Sequence, residues 1–81
     1  MIVHVRLFAA ARELAGREVV EILAEEPLTV GDLRALLATQ VPALAPLLPH
    51  VRLAVNSSYA SDATQVAAGD EVACIPPVSG G

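Results

Sequence analysis

Residues 29–40, with the sequence TVGDLRALLATQ, form the strongest helix signal in the chain and decide how the rest can fold. Thr29 is a typical N-cap residue, and Asp32 three residues later takes the acidic place of a capping-box-like start. Apolar residues then recur at helical spacing on one side of the segment: Val30, Leu33, Leu36 and Leu37. We therefore predict one long helix that ends before Pro42 and packs along that apolar side.

Segments at the two ends of the chain alternate between two faces, as half-buried β-strands do. In residues 1–8 one face is purely apolar and is predicted to meet the core: Met1, Val3, Val5 and Leu7. The other face mixes polar residues with Phe8, the only phenylalanine of the chain. In residues 71–75, Val72 and Cys74 share one face, and Ala73 and Ile75 share the other. An apolar side chain such as Phe8 on an open sheet face is either ordinary surface or part of a partner patch.

Weaker signals supply the elements between these segments. Residues 9–14 predict a short helix that Gly16 ends in a left-handed cap, and residues 17–25 predict a second strand paired with the first. The three prolines of residues 42–49 exclude a regular helix and indicate a turn or short 3₁₀ element. Further strands are expected at residues 51–55 and, briefly, at 59–60. Between them, residues 56–58 are expected to form a turn of residues that bond their own backbone, and residues 62–69 are expected to form a loop with one helical turn.

This order of elements predicts an α+β fold, a mixed sheet packed on one side by the long helix. If the terminal strands lie centrally and parallel, the connection between them needs a crossover, which the long helix provides. That arrangement is the β-grasp, or ubiquitin-like, fold. We expect the β-grasp domain to comprise residues 1–75 and a flexible Gly-Gly tail to comprise residues 76–81.

Composition limits the classes of function. Eighty-one residues make one small domain, and with 54% hydrophobic but only 2% aromatic residues the core must be aliphatic. The net charge of −4 argues against nucleic acid or an anionic membrane as a partner and permits a basic protein partner. One cysteine excludes a disulfide framework and a multi-cysteine zinc site. Without a signal peptide or an apolar run of about 20 residues, the expected compartment is the cytoplasm.

The last six residues, PPVSGG, are the most unusual stretch. Each proline fixes its own φ and lacks an N–H, and the two glycines carry no Cβ, so the end of the chain is slim. Six residues can reach about 20 Å from the domain. Such a tail suits delivery of a C-terminal carboxylate into another protein's active site, although small residues also collect at ordinary termini.

Other residues that could carry chemistry are better explained by structure. His4 and His50 lack a third ligand and are expected to be surface or edge histidines rather than a metal site. Cys74 is expected to have no nearby cationic residue that would lower its pKa, and to be a buried structural thiol. Asp70 and Glu71 are typical of a turn and a strand edge, and the turn acid could also meet an arginine of a partner. The chain has no Gly-rich phosphate loop before a helix and is not expected to bind ATP.

Several motifs resemble the small subunit of molybdopterin synthase (the MoaD family). They are the opening VRLFA of residues 5–9, Arg12-Glu13, Gly16, Thr29-Val30 with Leu33, the AVN of residues 54–56, and the run GDEVA of residues 69–73 leading into IPPVSGG of residues 75–81. The match covers essentially the whole chain, and its last thirteen residues are the most specific part. The sequence departs from the family in its proline-rich residues 42–49 and in Cys74, where a larger apolar residue is usual.

The resemblance implies a sulfur carrier, a subunit whose partners supply the catalytic groups. An ATP-dependent, E1-like enzyme would adenylate the carboxylate of Gly81, and a sulfur donor protein would convert it to a thiocarboxylate. The large subunit of the synthase, in a heterotetramer, would use this sulfur to build the dithiolene of molybdopterin. The chain itself would bind no cofactor or metal, and ATP would be used by the activating enzyme.

Within this carrier role, we assign hypothetical roles to individual residues. Gly81 would carry the reaction. The residues that thread into a partner's pocket would be Pro77, Val78, Ser79 and Gly80. Phe8 and Ile75, both predicted on the open sheet face, would be the apolar anchors of the partner interface.

Three alternatives stay open at the level of sequence. The first is a carrier of the same class that serves thiamine synthesis or tRNA thiolation, although such chains lack the Phe8-Ala9 and Pro76-Pro77 context. The second is a ubiquitin-like modifier that forms isopeptides, which would appear in cells as a ladder of heavier conjugates. The third is a passive binding module with an incidental Gly-Gly end, for which removal of Gly81 would change nothing.

Overall fold

A computed structural model describes residues 1–77 of the chain. It contains seven strands, two α-helices and two short 3₁₀ turns: β1 (Ile2–Leu7), α1 (Ala9–Ala15), β2 (Val19–Leu23), β3 (Leu28–Thr29), α2 (Val30–Gln40), the turns Pro42–Leu44 and Leu48–His50, β4 (Arg52–Val55), β5 (Ser58–Tyr59), β6 (Gln65–Val66) and β7 (Val72–Ile75). None of these helices is long and apolar enough to cross a membrane, within the part of the chain that is described.

The main sheet has five strands in the order β2-β1-β7-β4-β5. Its central strands β1 and β7 are parallel, and every other neighbouring pair is antiparallel. The chain leaves β1, forms the β1–β2 hairpin unit, crosses over through α2 and returns to β7 beside β1. This is the predicted α+β β-grasp fold, and the prediction is confirmed.

The core lies between α2 and one face of the sheet. The apolar face of β1 is buried as predicted, with Val5 fully inaccessible, and it meets Val72 and Cys74 of β7. From the helix, Val30, Leu33 and Leu37 are fully buried, whereas Leu36 is only partly buried. At 100° per residue Leu36 falls at the border of the helix stripe, where α2 no longer covers the sheet.

The predicted capping box at the start of α2 and the predicted glycine cap at the end of α1 are both confirmed. The Thr29 Oγ1 accepts the Asp32 backbone N–H at 3.1 Å, and an Asp32 carboxylate oxygen accepts the Thr29 backbone N–H at 3.1 Å. This reciprocal capping box satisfies two donors that the first turn of α2 would otherwise leave unpaired. Helix α1 ends at Gly16, whose φ of 70° is the left-handed cap geometry that favours glycine.

The prediction for residues 62–69 was wrong in part. The segment contains no helical turn; instead β6 pairs antiparallel with β3, matching Leu28 with Val66 and Thr29 with Gln65. Val66 is thereby buried at the start of α2. A strand of two residues is too short to show an alternating pattern, so the sequence could not reveal this pairing.

The predicted turn at residues 56–58 exists, but the reason given for it was wrong. Asn56 and Ser57 have φ of 50° and 70° and form a two-residue hairpin loop between β4 and β5. Positive φ at both central positions is the geometry of a tight β-hairpin turn. The Asn56 side chain does not bond its own backbone; it bonds Asp70 and the Glu71 backbone on the neighbouring chain segment.

Arg34 of α2 fastens the proline-rich connection to the helix. Its guanidinium donates to the Leu48 and Val51 carbonyls, at 2.6 and 2.9 Å, and to a carboxylate oxygen of Asp62 at 3.2 Å. The side chain is only 23% exposed, and the Leu48 carbonyl also accepts the Val51 backbone N–H at 3.3 Å. The contacts explain how a segment with three prolines keeps a defined path over the core edge.

Candidate functional site

The sheet surface that faces away from α2 is exposed, and we call it the open face. It is formed by alternate strand residues: Val19, Glu21 and Leu23 of β2, Ile2, His4 and Arg6 of β1 with Phe8, Ala73 and Ile75 of β7, Arg52 and Ala54 of β4, and Tyr59 of β5. The face contains most of the large exposed apolar residues of the described chain. A sheet face of this kind is a place where a partner can dock.

Phe8 and Ile75 lie side by side on the open face. The parallel register pairs Leu7 with Cys74, and the Phe8 backbone N–H continues the ladder by donating to the Cys74 carbonyl at 3.2 Å. Leu7 and Cys74 point into the core, so Ile75, the next residue of β7, and Phe8, which follows β1 with an extended backbone, point outward. Phe8 is 40% exposed and Ile75 is half-buried. The structure thus places both residues on the predicted face, next to each other.

The chain leaves the domain beside this pair. Ile75 is the last residue of β7; Pro76 is buried and Pro77 is exposed. Packing on the domain therefore continues one residue beyond the predicted boundary at residue 75. The residues predicted to thread into a partner and to react, Val78, Ser79, Gly80 and Gly81, lie outside the described residues.

A shallow groove of about 480 Å³ runs along the open face toward the Asp70 turn. Its floor is made of Ala73 and Ala54, which are paired across β7 and β4. Ala54 is only 6% exposed although it belongs to the open face, because its larger neighbours stand above it. Arg6 and Phe8 line the groove on the β1 side. Small residues between large ones create a depression that can accept a side chain of another protein.

A hydrogen-bonded turn closes the far end of the groove. One carboxylate oxygen of Asp70 accepts the Ala67 backbone N–H at 2.8 Å, and the other accepts the Asn56 side-chain amide at 3.1 Å. Asn56 in turn accepts the Glu71 backbone N–H at 3.0 Å. The hydrogen bond from the Ala67 N–H, and to a smaller extent the one from the Asn56 amide, lower the pKa of Asp70 below its usual 3.8. Asp70 therefore serves the turn, as predicted, rather than acting as a general acid or base.

We expect Asp70 to make acid stability depend on pH in a defined direction. Because its pKa is depressed in the folded chain, its contribution is complete above pH 3.8 and is lost as the pH falls through the lower folded value. The melting temperature of the wild type should exceed that of Asp70→Asn at pH 7, and the difference should shrink below about pH 3.8. Paired thermal melts across this range test the prediction, and a difference that stays constant with pH would contradict it.

The remaining candidate residues are structural. Cys74 is fully buried, and burial raises the pKa of its thiol to about 11, so the predicted structural role is confirmed. The prediction that no cation acts on it was wrong, because the charge of Arg34 opposes the effect of burial. His4 lies 3.1 Å from the Glu21 carboxylate across the exposed β1–β2 pair. No cluster of three metal-binding side chains occurs among residues 1–77.

Comparison with known sequences gives a family-level match. The sequence pattern of the ThiS family matches residues 5–81. The molybdopterin synthase sulfur carrier subunit of Escherichia coli (strain K12) is 41% identical over 98% of this chain and 99% of its own length.

Comparison with solved structures agrees with the β-grasp topology. SAMP1, the small archaeal modifier protein 1 of Haloferax volcanii, is 34% identical and superposes with a TM-score of 0.87 over the whole of both chains. A protein–protein complex of subunits 1 and 2 of the molybdopterin-converting factor from Helicobacter pylori 26695 contains a chain 29% identical to this one. That chain gives a TM-score of 0.71, again with complete coverage of both chains.

Proposed function

Because this chain belongs to the ThiS family, we propose that it is the sulfur-carrier subunit of a molybdopterin synthase, with a thiocarboxylate formed at Gly81. The observation that carries the proposal is the match to a sulfur carrier subunit over 98% of this chain and 99% of the relative. The geometry of the described residues is compatible with it. The tail that bears Gly81 follows the central strand β7 and starts beside Phe8, which is exposed, and Ile75, which is half-buried.

The chemistry starts from an unreactive carboxylate. In the proposed sequence the Gly81 carboxylate attacks the α-phosphorus of ATP in an E1-like enzyme, and pyrophosphate leaves. The resulting acyl-adenylate has the leaving group that the carboxylate lacks. The persulfide of a donor protein then attacks the carbonyl carbon and the bond to AMP breaks. A second thiol attacks the donor's sulfur in the resulting acyl disulfide, so that the thiocarboxylate leaves on Gly81 and the two thiol sulfurs end as a disulfide. The activating enzyme binds the ATP, so the carrier needs no nucleotide site of its own.

The second half of the proposal concerns the acceptor. The large subunit takes the tail into its active site and uses the thiocarboxylate sulfur for the dithiolene of molybdopterin. Phe8 and Ile75 pack against that subunit at the base of the tail, and two copies of each chain form a heterotetramer. The Helicobacter pylori complex of subunits 1 and 2 supports a partner of this kind.

The described residues of this chain support a carrier role rather than catalysis by the chain. Both carboxylate oxygens of Asp70 at the end of the groove are held in the turn, and the Cys74 thiol is buried with its pKa raised to about 11. Neither group is therefore placed to act as an acid, base or nucleophile on the tail. The carrier presents Gly81, and its partners provide the reactive groups.

The intact mass of the protein tests the proposal. The chain, with its native C-terminus, is purified from cells that contain the cognate E1-like enzyme and its sulfur donor. We expect a gain equal to the difference between one sulfur and one oxygen, and no gain in a chain that lacks Gly81. An unmodified mass in the presence of ATP and a competent activating enzyme would refute the carrier function.

A modifier function is the second candidate, and the close superposition with SAMP1 favours it. Activation of Gly81 would be the same, but the acyl group would pass to a lysine amine of a target instead of receiving sulfur. An immunoblot of cells that express a tagged chain discriminates between the two. A ladder of heavier conjugates that disappears when Gly81 is removed would indicate the modifier.

A further inference from the structure

The open face is charged unevenly, although the chain as a whole carries −4. Glu21, Asp70 and Glu71 lie toward the end of the sheet where β7 begins. Arg52 lies at the end where β7 leads into the tail, Arg6 lies beside the second residue of β7, and both are exposed. The net charge therefore does not describe the surface that surrounds the start of the tail.

The two arginines stand on opposite sides of β7. Arg6 of β1 is in register with Ala73, and Arg52 of β4 is in register with Ile75. Because neighbouring strands lie about 4.8 Å apart and the two register positions differ by two residues along β7, the bases of the two side chains are separated by about 12 Å on the diagonal. On β7, Ala73 lies beside Arg6 and Ile75 lies beside Arg52, and Ala73 is too small to cover the surface next to Arg6.

Neither arginine is neutralised within the described chain. Ion pairs to acidic side chains among residues 1–77 involve Arg12 with Glu18 and Arg34 with Asp62, but not Arg6 or Arg52. The Arg52 guanidinium instead lies over the Tyr59 ring, 4.1 Å from its centroid. This cation–π contact holds the charge in place on the open face without cancelling it.

The proposed partner interface would change the surroundings of these charges. A large subunit that covers Phe8 and Ile75 also removes water from Arg52, which is in register with Ile75, and from Arg6, which lines the same groove as Phe8. A cation that loses its water without gaining an opposite charge is strongly destabilising. The face can therefore be covered at low cost only by a surface that brings carboxylates to both positions.

We infer that the large subunit meets this face with acidic side chains opposite Arg6 and Arg52 and with a small apolar side chain over Ala73. The inference rests on the proposed function for the existence of that partner and specifies its chemistry. The two charges flank the strand that leads to the tail, so they fix the orientation of the carrier as well as attract the partner. Arg6 and Arg52 are thus specificity residues of the docking surface.

Binding of the large subunit encoded in the same genome tests this surface. The dissociation constant is measured by titration at low and high NaCl for the wild type and for Arg6→Glu/Arg52→Glu. We expect the double variant to bind about 10- to 100-fold more weakly at low salt, with the difference shrinking at high salt as the charges are screened. Arg6→Lys/Arg52→Lys keeps both charges and should retain most of the affinity.

Each Arg→Glu substitution changes the net charge by two units. The control variant therefore introduces the same change in net charge on a surface away from the open face. Ala35→Glu/Thr39→Glu places two negative charges on exposed positions of α2, on the other side of the sheet, and serves as the control for Arg6→Glu alone. Circular dichroism checks that every variant is folded. Equal weakening by Arg6→Glu and by the α2 control would overturn the inference, because net charge alone would then explain the effect.

The same titration separates other occupants of the groove. In a chain ending at Pro77 the reversal should weaken binding by a similar factor; an effect confined to the longer chain would mean that the arginines hold the chain's own C-terminal carboxylate. A concentration-dependent dimer that Arg6→Glu/Arg52→Glu abolishes would instead identify a second copy, and both results overturn the inference.

A wild-type chain that acquires sulfur but does not bind the large subunit would refute that partner and the inference. A chain that binds with unchanged affinity after the reversal would refute the inference alone.

Discussion

Replacing Arg34 with leucine is expected to lower the free energy of unfolding by about 3 kcal/mol. A chain of 81 residues is expected to have only about 4–12 kcal/mol in total, so the loss is large. The substitution removes a charged donor from the Leu48 and Val51 carbonyls and from Asp62. The Val51 carbonyl then loses the Arg34 hydrogen bond, the Leu48 carbonyl keeps only the one from the Val51 N–H at 3.3 Å, and the proline-rich segment loses its attachment to α2.

Urea denaturation followed by circular dichroism measures this effect. Arg34→Lys should fall between the wild type and Arg34→Leu, because one ammonium cannot reproduce the forked contacts of a guanidinium. Arg12→Leu is the matched control, since Arg12 is 54% exposed and only 3.8 Å from Glu18 at its nearest, and should change stability little. If the two leucine variants are equally stable, the role assigned to Arg34 is wrong.

The elements that sequence predicts well are those whose signal is local. Alternation in residues 1–8 requires no knowledge of the partner strands, and Val3, Val5 and Leu7 are buried accordingly. The capping box needs only Thr29 and Asp32 at the right spacing. The order of such elements predicted a β-grasp fold on the condition that the terminal strands lie centrally and parallel, with the long helix as the crossover, but periodicity could not fix the strand order.

Features that depend on residues far apart in the sequence could not be predicted from local sequence patterns. Arg34 bonds groups 14, 17 and 28 residues away, and nothing in its neighbourhood distinguishes it from a solvated helix residue. The Gln40 amide likewise accepts from the Leu23 N–H at 3.0 Å and donates to the Leu23 carbonyl at 2.8 Å, at the outer edge of β2. Such contacts follow from the packing of α2 on the sheet, which a single sequence does not display.

The features of the candidate site also differ in whether local sequence could predict them. The motif around the tail and the outward direction of Phe8 and Ile75 could be predicted, because both rest on local sequence. The grouping of Arg6 and Arg52 on either side of β7 could not, since it depends on the strand order β1-β7-β4. The groove also depends on that order, because only the pairing of Ala54 with Ala73 places two small residues together.

Replacing Phe8 with alanine is expected to weaken binding to the large subunit by about 30-fold or more, the effect of losing an interface hot spot. Phe8 is 40% exposed, so its side chain contributes little to the core. Its backbone carbonyl, which accepts the Ala11 and Arg12 N–H groups at the start of α1, is kept in the variant. The melting temperature should therefore change little, and the loss should appear in the dissociation rate measured by surface plasmon resonance.

The open face offers a matched control for this prediction. Leu23 is 65% exposed on the edge strand β2, away from the start of the tail, and Leu23→Ala should leave affinity nearly unchanged. Ile75→Ala should weaken binding, and its combination with Phe8→Ala should be less than additive, because the two side chains are neighbours that share one contact. Equal losses for Leu23→Ala and Phe8→Ala would show that the partner covers the β2 edge as well. Unfolding of Phe8→Ala would show instead that Phe8 supports the domain rather than the interface.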